Sequence, residues 1–176
     1  MFHTVEGGCI ICNDETLANK LLLYRQFGHI GDKYFSIGIN GKNSEFHAAM
    51  GLAVLPKIEE IIFRRKQISE LYDSLLNFNE IRTSTVPTDT ANNYSYYPVI
   101  FKDEKIVLKV MKALLQNSVS ARRYFYPSLN QLPFIKEYQP CSISESISKR
   151  VLTIPLYFDL EDRDVIRITN IINQQL

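Results

Sequence analysis

The chain has 176 residues, and its 20 Lys and Arg against 19 Asp and Glu leave a net charge of +1. This balance does not favour nucleic acid or an anionic membrane surface as a partner. No apolar run approaches the ~20 residues of a membrane-spanning helix, and the start lacks the basic and apolar regions of an export signal. Three cysteines are too few for a disulfide framework, so we expect a reduced, cytoplasmic protein.

The first predicted elements are a strand and a helix. Gly8–Cys12 is a short apolar run that follows a glycine, which is typical of a buried strand. Asn13 or Asp14 can cap a helix that runs to about Phe27, and Gly28 would end this helix.

A glycine-containing loop comes next, and two further helices follow it. Ser44 or Asn43 can cap a helix of small residues over 46–55. Pro56 is unfavourable inside a helix but suits its first turn. We therefore predict a bend at Pro56 and a second helix over 57–76.

Beyond residue 78 the pattern predicts strands and helices in alternation. Strands are predicted over 81–86, 94–101, 119–125 and 151–154, and helices over 106–115, 142–150 and from about 161. Pro98 within the second strand indicates an edge position or a bulge. This order is typical of an α/β sandwich, a small sheet with helices packed on it. We predict an α/β chain whose residues 1–55 are a remnant of a larger domain and whose residues 56–176 form a small domain.

Cys9 and Cys12 are spaced as in some redox and zinc motifs. On a strand, however, residues i and i+3 point to opposite faces, and no second Cys or His pair has matching spacing. We predict two buried, small hydrophobic side chains and no metal site.

Six stretches of the sequence resemble one family in the order in which they occur. They are Glu6–Gly8 with Arg25–His29, Gly38–Leu52, Arg64-Arg65, Tyr96–Val99, Ala121–Pro127 and Leu152–Tyr157. Together they make the chain similar to the DegT/StrS family of sugar-nucleotide aminotransferases, and the second stretch resembles the motif G-x-N-x-R/K-M-S-D/E-x-Q-A-A-x-G-L. The chain departs from the family at Asn43, His47 and Asn130, where Met, Gln and His are common.

The resemblance implies the C-terminal part of a fold-type-I aminotransferase that uses pyridoxal 5'-phosphate (PLP). In the family, the lysine that bonds to PLP lies a few residues before the E-G-G segment, and Met1 begins this chain about where the residue after that lysine would be. Neither Lys20 nor Lys33 has the matching context, so no catalytic residue is assigned. We expect Met1 to be an internal methionine of a longer reading frame and the chain alone to be inactive.

The resemblance also implies binding roles for three residues near the glycine-containing loop. Asn40 matches a residue that binds the phosphate of PLP in the neighbouring subunit, although it could be a turn residue between glycines. Lys42 matches a basic position that faces the nucleotide diphosphate in the family. The alternative is that Lys42 is an ordinary lysine exposed to solvent. His29 contacts substrate, or caps the helix before it.

Three further residues match the part of the family's small domain that approaches the sugar nucleotide. They are Arg123, Tyr124 and Tyr126. Arginine offers a fork for phosphate, and tyrosine offers a ring and a hydroxyl. The alternative is that the tyrosines pack in the ordinary way at a strand end and that the arginine lies at the surface without a ligand.

The activity that the resemblance implies is transfer of an amino group from an amino acid, with glutamate expected, to a nucleotide-linked keto-deoxysugar. The product would serve a surface polysaccharide or a glycosylated metabolite. A homodimer is implied because each site takes Asn40 from its partner. Two alternatives remain open: a PLP- or PMP-dependent sugar dehydratase, in which histidine replaces the lysine, and a non-catalytic partner subunit.

Overall fold

A computed structural model describes residues 2–176, and the chain divides into two compact units, one before Glu60 and one formed by Glu60–Leu176. The first unit contains helix α1 (Glu15–Arg25), strands β1 (His29–Ile30) and β2 (Lys33–Tyr34), and helix α2 (Glu45–Val54). Helix α3 (Ile58–Leu75) leads into the second unit, which contains β3 (Arg82–Thr83), β4 (Tyr97–Ile100), α4 (Glu104–Gln116), α5 (Ser142–Arg150), β5 (Val151–Ile154) and α6 (Asp162–Asn173). Among the described residues, no helix combines the length and the apolar character needed to cross a bilayer.

Helix α1 begins and ends where the sequence predicts. The side chain of Asp14 accepts a hydrogen bond of 2.9 Å from the backbone N–H of Leu17, which caps the first turn. At the other end, Gly28 has a φ of 77°, and its N–H donates to the carbonyl of Leu23 at 2.9 Å. A residue without Cβ adopts this left-handed conformation at little cost, so the chain turns away there.

Helix α2 has a capping box that explains the departure at His47. The backbone N–H of His47 donates to Ser44 Oγ at 3.4 Å, and Ser44 N–H donates to His47 Nδ1 at 3.1 Å. Glutamine or glutamate usually supplies the second acceptor of such a box. The imidazole nitrogen fills the same role, so the replacement preserves the cap.

The predicted buried strand over Gly8–Cys12 is wrong. These residues form no strand, and the side chains of Ile10 and Ile11 are 73% and 88% exposed. Cys9 is exposed and Cys12 is half-buried, so the predicted burial of the two cysteines is also wrong. A strand needs a neighbour with which to share its backbone hydrogen bonds, and the only strands described in this unit pair with each other as the β1–β2 hairpin.

Pro56 lies in a short 3-10 turn, Leu55–Lys57, between α2 and α3. The predicted bend is therefore confirmed, because proline suits the first turn of a helix but not its interior. Further along α3, the side chains of Arg65, Ile68 and Tyr72 are buried.

The second unit is built on a three-stranded antiparallel sheet in the order β3-β4-β5. Pro98 lies in β4, which is the central strand and pairs with β5 in an unbroken register, so both predicted alternatives, an edge position and a bulge, are wrong. The missing N–H is tolerated because β3 ends at Thr83, opposite Val99. Beside this end, the Pro98 carbonyl accepts a hydrogen bond of 2.9 Å from Thr83 Oγ1.

The predicted strand over 119–125 is also wrong. Only Arg122 pairs in the manner of a strand, through an isolated bridge to Thr153 of β5. Val119 is buried after α4, whereas Phe125 is exposed. The β-prone residues of this segment therefore pack individually and do not form a continuous row of strand hydrogen bonds.

The helices of the second unit cover the sheet as the 3.6-residue periodicity predicts. In α4 the buried residues are Val107, Val110 and Leu114, and Asp103 caps the helix by accepting from Ile106 N at 3.0 Å. In α6 they include Val165, Ile168 and Ile172. These side chains form one core with β4 and β5, which confirms the predicted small sheet with packed helices.

The loop before α5 is held by the carboxylate of Glu145. Its Oε1 atom accepts hydrogen bonds from Asn130 Nδ2 at 2.6 Å, Tyr138 Oη at 2.8 Å and the backbone N–H of Cys141 at 2.9 Å. The bond from Cys141, followed by those from Asn130 and Tyr138, holds the pKa of Glu145 below its usual range. Asn130, where the family often has histidine, therefore helps to fix the loop.

We expect Glu145→Gln to weaken the pH dependence of folding. A carboxylate with a lowered pKa contributes stability above its unfolded pKa and loses it as pH falls through the folded pKa. From about pH 6 to about pH 3, the unmodified chain should lose more stability than the variant, as measured by urea midpoints. Glu137→Gln, in the same loop, is the control and should behave like the unmodified chain. Equal pH dependence in all three proteins would contradict this role.

Candidate functional site

The loop that carries Asn40 is fixed by backbone contacts with the end of α1. Phe27 N–H donates to Ile39 O at 3.1 Å, Ile39 N–H donates to Tyr24 O at 2.8 Å, and Gly41 N–H donates to Arg25 O at 2.9 Å. A Cβ at Gly38 would collide with the backbone of Phe27 and Gly28. The glycine is therefore required for this close approach.

Asn40 is exposed in the middle of this rigid loop. Its backbone forms an isolated bridge with Gln26. Within residues 2–176, no hydrogen bond engages its side chain, although the side chains of Asn117, Asn130 and Asn173 all donate to protein acceptors. The Asn40 amide is thus available to donate to an outside acceptor such as a phosphate.

His29 and Lys42 both lie close to the aromatic ring of Phe27. Lys42 Nζ is 4.5 Å from the centroid of Phe27, within the range of a cation–π contact. The His29 ring is 6.1 Å from Phe27 and 5.2 Å from Tyr34. His29 Nδ1 is 2.8 Å from the carbonyl of Gly31 in the β1–β2 turn. The described contacts of the His29 side chain are therefore with the hairpin and with Phe27, and none of them caps α1.

In the second unit, the guanidinium of Arg123 is mostly buried and is paired with groups of the protein itself. Its side chain is 13% exposed, and Nη2 lies 2.7 Å from Glu104 Oε1 and 3.1 Å from the carbonyl of Lys149. The guanidinium carbon is 3.4 Å from the ring centroid of Tyr126. This pairing lowers the pKa of Glu104. Arg123 is not a free surface arginine, and it holds Tyr126 beside the start of α4.

Tyr124 instead contacts the neighbouring Arg122. Arg122 Nη1 donates to Tyr124 Oη at 2.8 Å, and the guanidinium carbon is 5.7 Å from the tyrosine ring centroid. The ring of Tyr124 also contacts that of Tyr96, with centroids 5.6 Å apart. Sequence analysis did not select Arg122, because two adjacent arginines carry no signal that tells the paired one from the exposed one.

The lysines of the described chain are all exposed. Those in the first unit are Lys20, Lys33, Lys42 and Lys57. A lysine that reacts with a carbonyl group needs a desolvated or cationic environment to lower its pKa. The residues described here therefore fit the phosphate end of PLP, through Asn40, but they do not fit the end that bonds to lysine.

Comparisons with known proteins match nearly the whole chain. A family model described as "DegT/DnrJ/EryC1/StrS aminotransferase family" matches residues 1–173. The dTDP-4-amino-4,6-dideoxy-D-glucose transaminase of Escherichia coli is 34% identical over 177 aligned residues, which are 95% of this chain and 47% of that protein. GDP-perosamine synthase of Escherichia coli O157:H7 is 25% identical, over 97% of this chain and 48% of that protein.

Solved structures give the same result for the fold. The aminotransferase TlmJ from Streptoalloteichus hindustanus superposes with a TM-score of 0.84 at 20% identity, over 93% of this chain and 46% of that one. DesI, solved in the presence of its TDP-sugar product, superposes with a TM-score of 0.81 at 27% identity. The superposition covers 93% of this chain and 44% of that one. The chain thus spans about half the length of the relatives that it matches.

Proposed function

Because the chain belongs to the DegT/DnrJ/EryC1/StrS aminotransferase family, we propose that it forms part of a PLP-dependent enzyme that aminates a nucleotide-linked keto-deoxysugar. The observation that carries this proposal is the family match over residues 1–173. The names of two relatives support the substrate class. One name includes a dTDP-linked amino sugar, and the other includes a GDP-linked amino sugar. Glutamate is the proposed amino donor.

Asn40 is the residue of this chain that we assign to the cofactor. Its free amide, held in a rigid loop, suits an acceptor such as the PLP phosphate. When bound, PLP supplies an electron sink for the carbanion chemistry of transamination. Asn40 binds and orients the phosphate, and it takes no part in proton transfer.

The proposed enzyme is a homodimer, and Asn40 serves the site of its partner. The exposure of Asn40 and its lack of a side-chain partner support this arrangement, because such an amide can reach a second subunit. For the sugar nucleotide we propose contacts from the remaining predicted residues. These are His29, Lys42, Arg123, Tyr124 and Tyr126.

The compartment that we propose is the reducing cytoplasm. Cys9, Cys12 and Cys141 are all free thiols in the structure. Cys9 and Cys141 are exposed, and exposed thiols persist in a reducing environment.

A chimeric enzyme tests the proposed function. The half of the E. coli transaminase that this chain does not match would be joined to this chain. We expect the chimera to transfer the amino group of dTDP-4-amino-4,6-dideoxy-D-glucose to 2-oxoglutarate, which is followed as glutamate formation. A folded dimeric chimera that binds PLP but forms no glutamate with this sugar or with GDP-perosamine would contradict the proposal.

In the same chimera, Asn40→Asp should weaken PLP binding by about tenfold or more, because a carboxylate replaces the donor and repels the phosphate. Equilibrium dialysis of PLP measures this without relying on activity. The control is Asn43→Asp, which adds the same charge to the same loop just before the cap of α2. Equal weakening by both variants would show that charge alone, and not the Asn40 contact, is responsible.

A further inference from the structure

His47 and Ser44 hold the start of α2 through three contacts. Ser44 N–H donates to His47 Nδ1 at 3.1 Å, and Ser44 Oγ lies 3.2 Å from the same nitrogen. His47 N–H donates to Ser44 Oγ at 3.4 Å. A ring nitrogen that accepts from a backbone N–H carries no proton, so this cap requires a neutral imidazole with its proton on Nε2.

Protonation of the imidazole removes this cap for two reasons that act in the same direction. A proton on Nδ1 turns the acceptor into a donor, which then faces the N–H donor of Ser44. The positive charge also lies in the first turn of α2, where the helix dipole disfavours a cation. The cap therefore depends on the charge of His47, and imidazole is the side chain that ordinarily changes charge between pH 5 and pH 8.

Glutamine, which is common at this position in the family, does not respond to pH in this way. Its side-chain carbonyl accepts a hydrogen bond throughout this range because an amide does not titrate there. At His47 the chain therefore has a pH-dependent acceptor in a position where a pH-independent one gives the same cap.

No described charge compensates a protonated His47. The titratable residues of the elements around it belong to α2, to the loop before it, to the 3-10 turn after it, and to the N-terminal segment, whose Thr4 packs against Gly51 of α2. They are Glu45, Lys42, Lys57, His3 and Glu6. Among residues 2–176, no ion pair joins any of them to the imidazole. A positive charge on His47 therefore has no partner that would keep the ring in place.

The cap also fixes one end of the loop that carries Asn40. The other end is fixed by the backbone hydrogen bonds from Ile39 and Gly41 to α1. In the described chain, the two residues after Gly41 form no backbone–backbone hydrogen bond, and the next anchor is the capping box at Ser44. When the cap opens, the loop is therefore held at its α1 end alone.

We propose that His47 is a positioning residue for the Asn40 loop, and that protonation of its imidazole releases the downstream end of this loop. Binding of the PLP phosphate through Asn40 then weakens as the pH falls. The inference rests on the proposed function, because it takes Asn40 as the phosphate contact. It adds a regulation by pH that glutamine at this position would not give.

Nuclear magnetic resonance of the isotope-labelled 176-residue chain tests the cap directly. As the pH is lowered from about 8 to about 5.5, we expect the amide signal of Ser44 to shift along the titration curve of the His47 ring signals. In His47→Gln the Ser44 signal should stay almost constant, because the side-chain carbonyl keeps the cap. In His47→Leu, which has no acceptor, the Ser44 signal should already resemble that of the unmodified chain at the lower pH.

The matched control is His3→Gln, which makes the same replacement at an exposed histidine whose Nδ1 accepts from Val5 N–H at 3.4 Å. Its Ser44 signal should titrate as in the unmodified chain. The proposal is overturned by a Ser44 signal that does not follow the titration of His47, or by one that titrates equally in His47→Gln.

Equilibrium dialysis of PLP with the chimera tests the effect on the loop. A phosphate monoester itself changes charge near about pH 6, so each variant is compared with the unmodified chimera at the same pH. At about pH 8, His47→Gln should bind PLP as the unmodified chimera does. At about pH 5.5 it should bind about threefold to fivefold more tightly, the factor that corresponds to one helix cap. His47→Leu should bind more weakly than His47→Gln by this factor at both pH values.

The dialysis separates this inference from the proposed function. If the chimera aminates its sugar but the affinity ratio of the unmodified and His47→Gln forms is the same at both pH values, the proposed function stands and the inference fails. If the ratio changes with pH as expected but the chimera forms no glutamate from either nucleotide sugar, the inference stands and the proposed function fails.

Discussion

Replacement of Tyr72 by alanine should lower the free energy of unfolding of this chain by about 3–5 kcal/mol, the range for deleting a large aromatic side chain from a core. Tyr72 is fully buried, and its ring centroid lies 4.8 Å from that of Tyr97. Its hydroxyl donates to the carbonyl of Pro155 at 2.9 Å. Burial raises the pKa of Tyr72 well above its usual value, so the hydroxyl stays protonated and remains a donor. The variant loses both the packing and the hydrogen bond.

Tyr72→Phe is the matched control for this prediction. It keeps the ring and removes only the donor, so it should cost about 1–3 kcal/mol, mainly because the Pro155 carbonyl loses its partner. Urea unfolding of the three proteins, followed by circular dichroism, gives the free energies. A loss for Tyr72→Ala no larger than that for Tyr72→Phe would show that the ring packs less closely than the structure indicates.

The second large effect is expected when PLP is added to the isolated chain. We expect no stable covalent adduct at any one lysine and therefore no shifted PLP absorbance. All lysines of residues 2–176 are exposed, and none has the desolvated or cationic environment that activates a lysine toward a carbonyl group. Only weak, dispersed labelling should follow reduction with borohydride, as read by mass spectrometry of peptides.

The chimera with the E. coli transaminase is the positive control, because the resemblance implies that the PLP lysine lies in the half that this chain does not match. Under the same conditions it should give one reducible adduct at that lysine. One lysine of the isolated chain labelled stoichiometrically would contradict the prediction. It would also give the chain a catalytic residue that no motif indicates.

Much of the second unit could be predicted from the sequence because its signals are local and strong. The apolar spacing of α4 and α6 and the β-branched run at β5 specify element type within a few residues. Pro56 and Gly28 mark the ends of helices by their backbone limits alone. The family match likewise confirms the resemblance that six short stretches predicted.

The strand predictions failed where pairing decides the outcome. Gly8–Cys12 has the composition of a buried strand but no described neighbour to pair with. Residues 119–125 have the same β-prone composition and contribute a single bridge to Thr153. Strand formation depends on a distant partner, and a single sequence does not carry that information.

By itself, the sequence determined the helices, the family and the position of Asn40 in a glycine-bounded loop, and it narrowed the caps of α1 and α2 to two residues each. Only the tertiary structure decided which of two adjacent arginines is free. Arg123 is drawn into an ion pair with Glu104, which is 19 residues away, while Arg122 is pinned to Thr153 with its guanidinium exposed. The physical reason is that helix signals arise from neighbours within one turn, whereas burial and charge pairing arise from residues that only folding brings together.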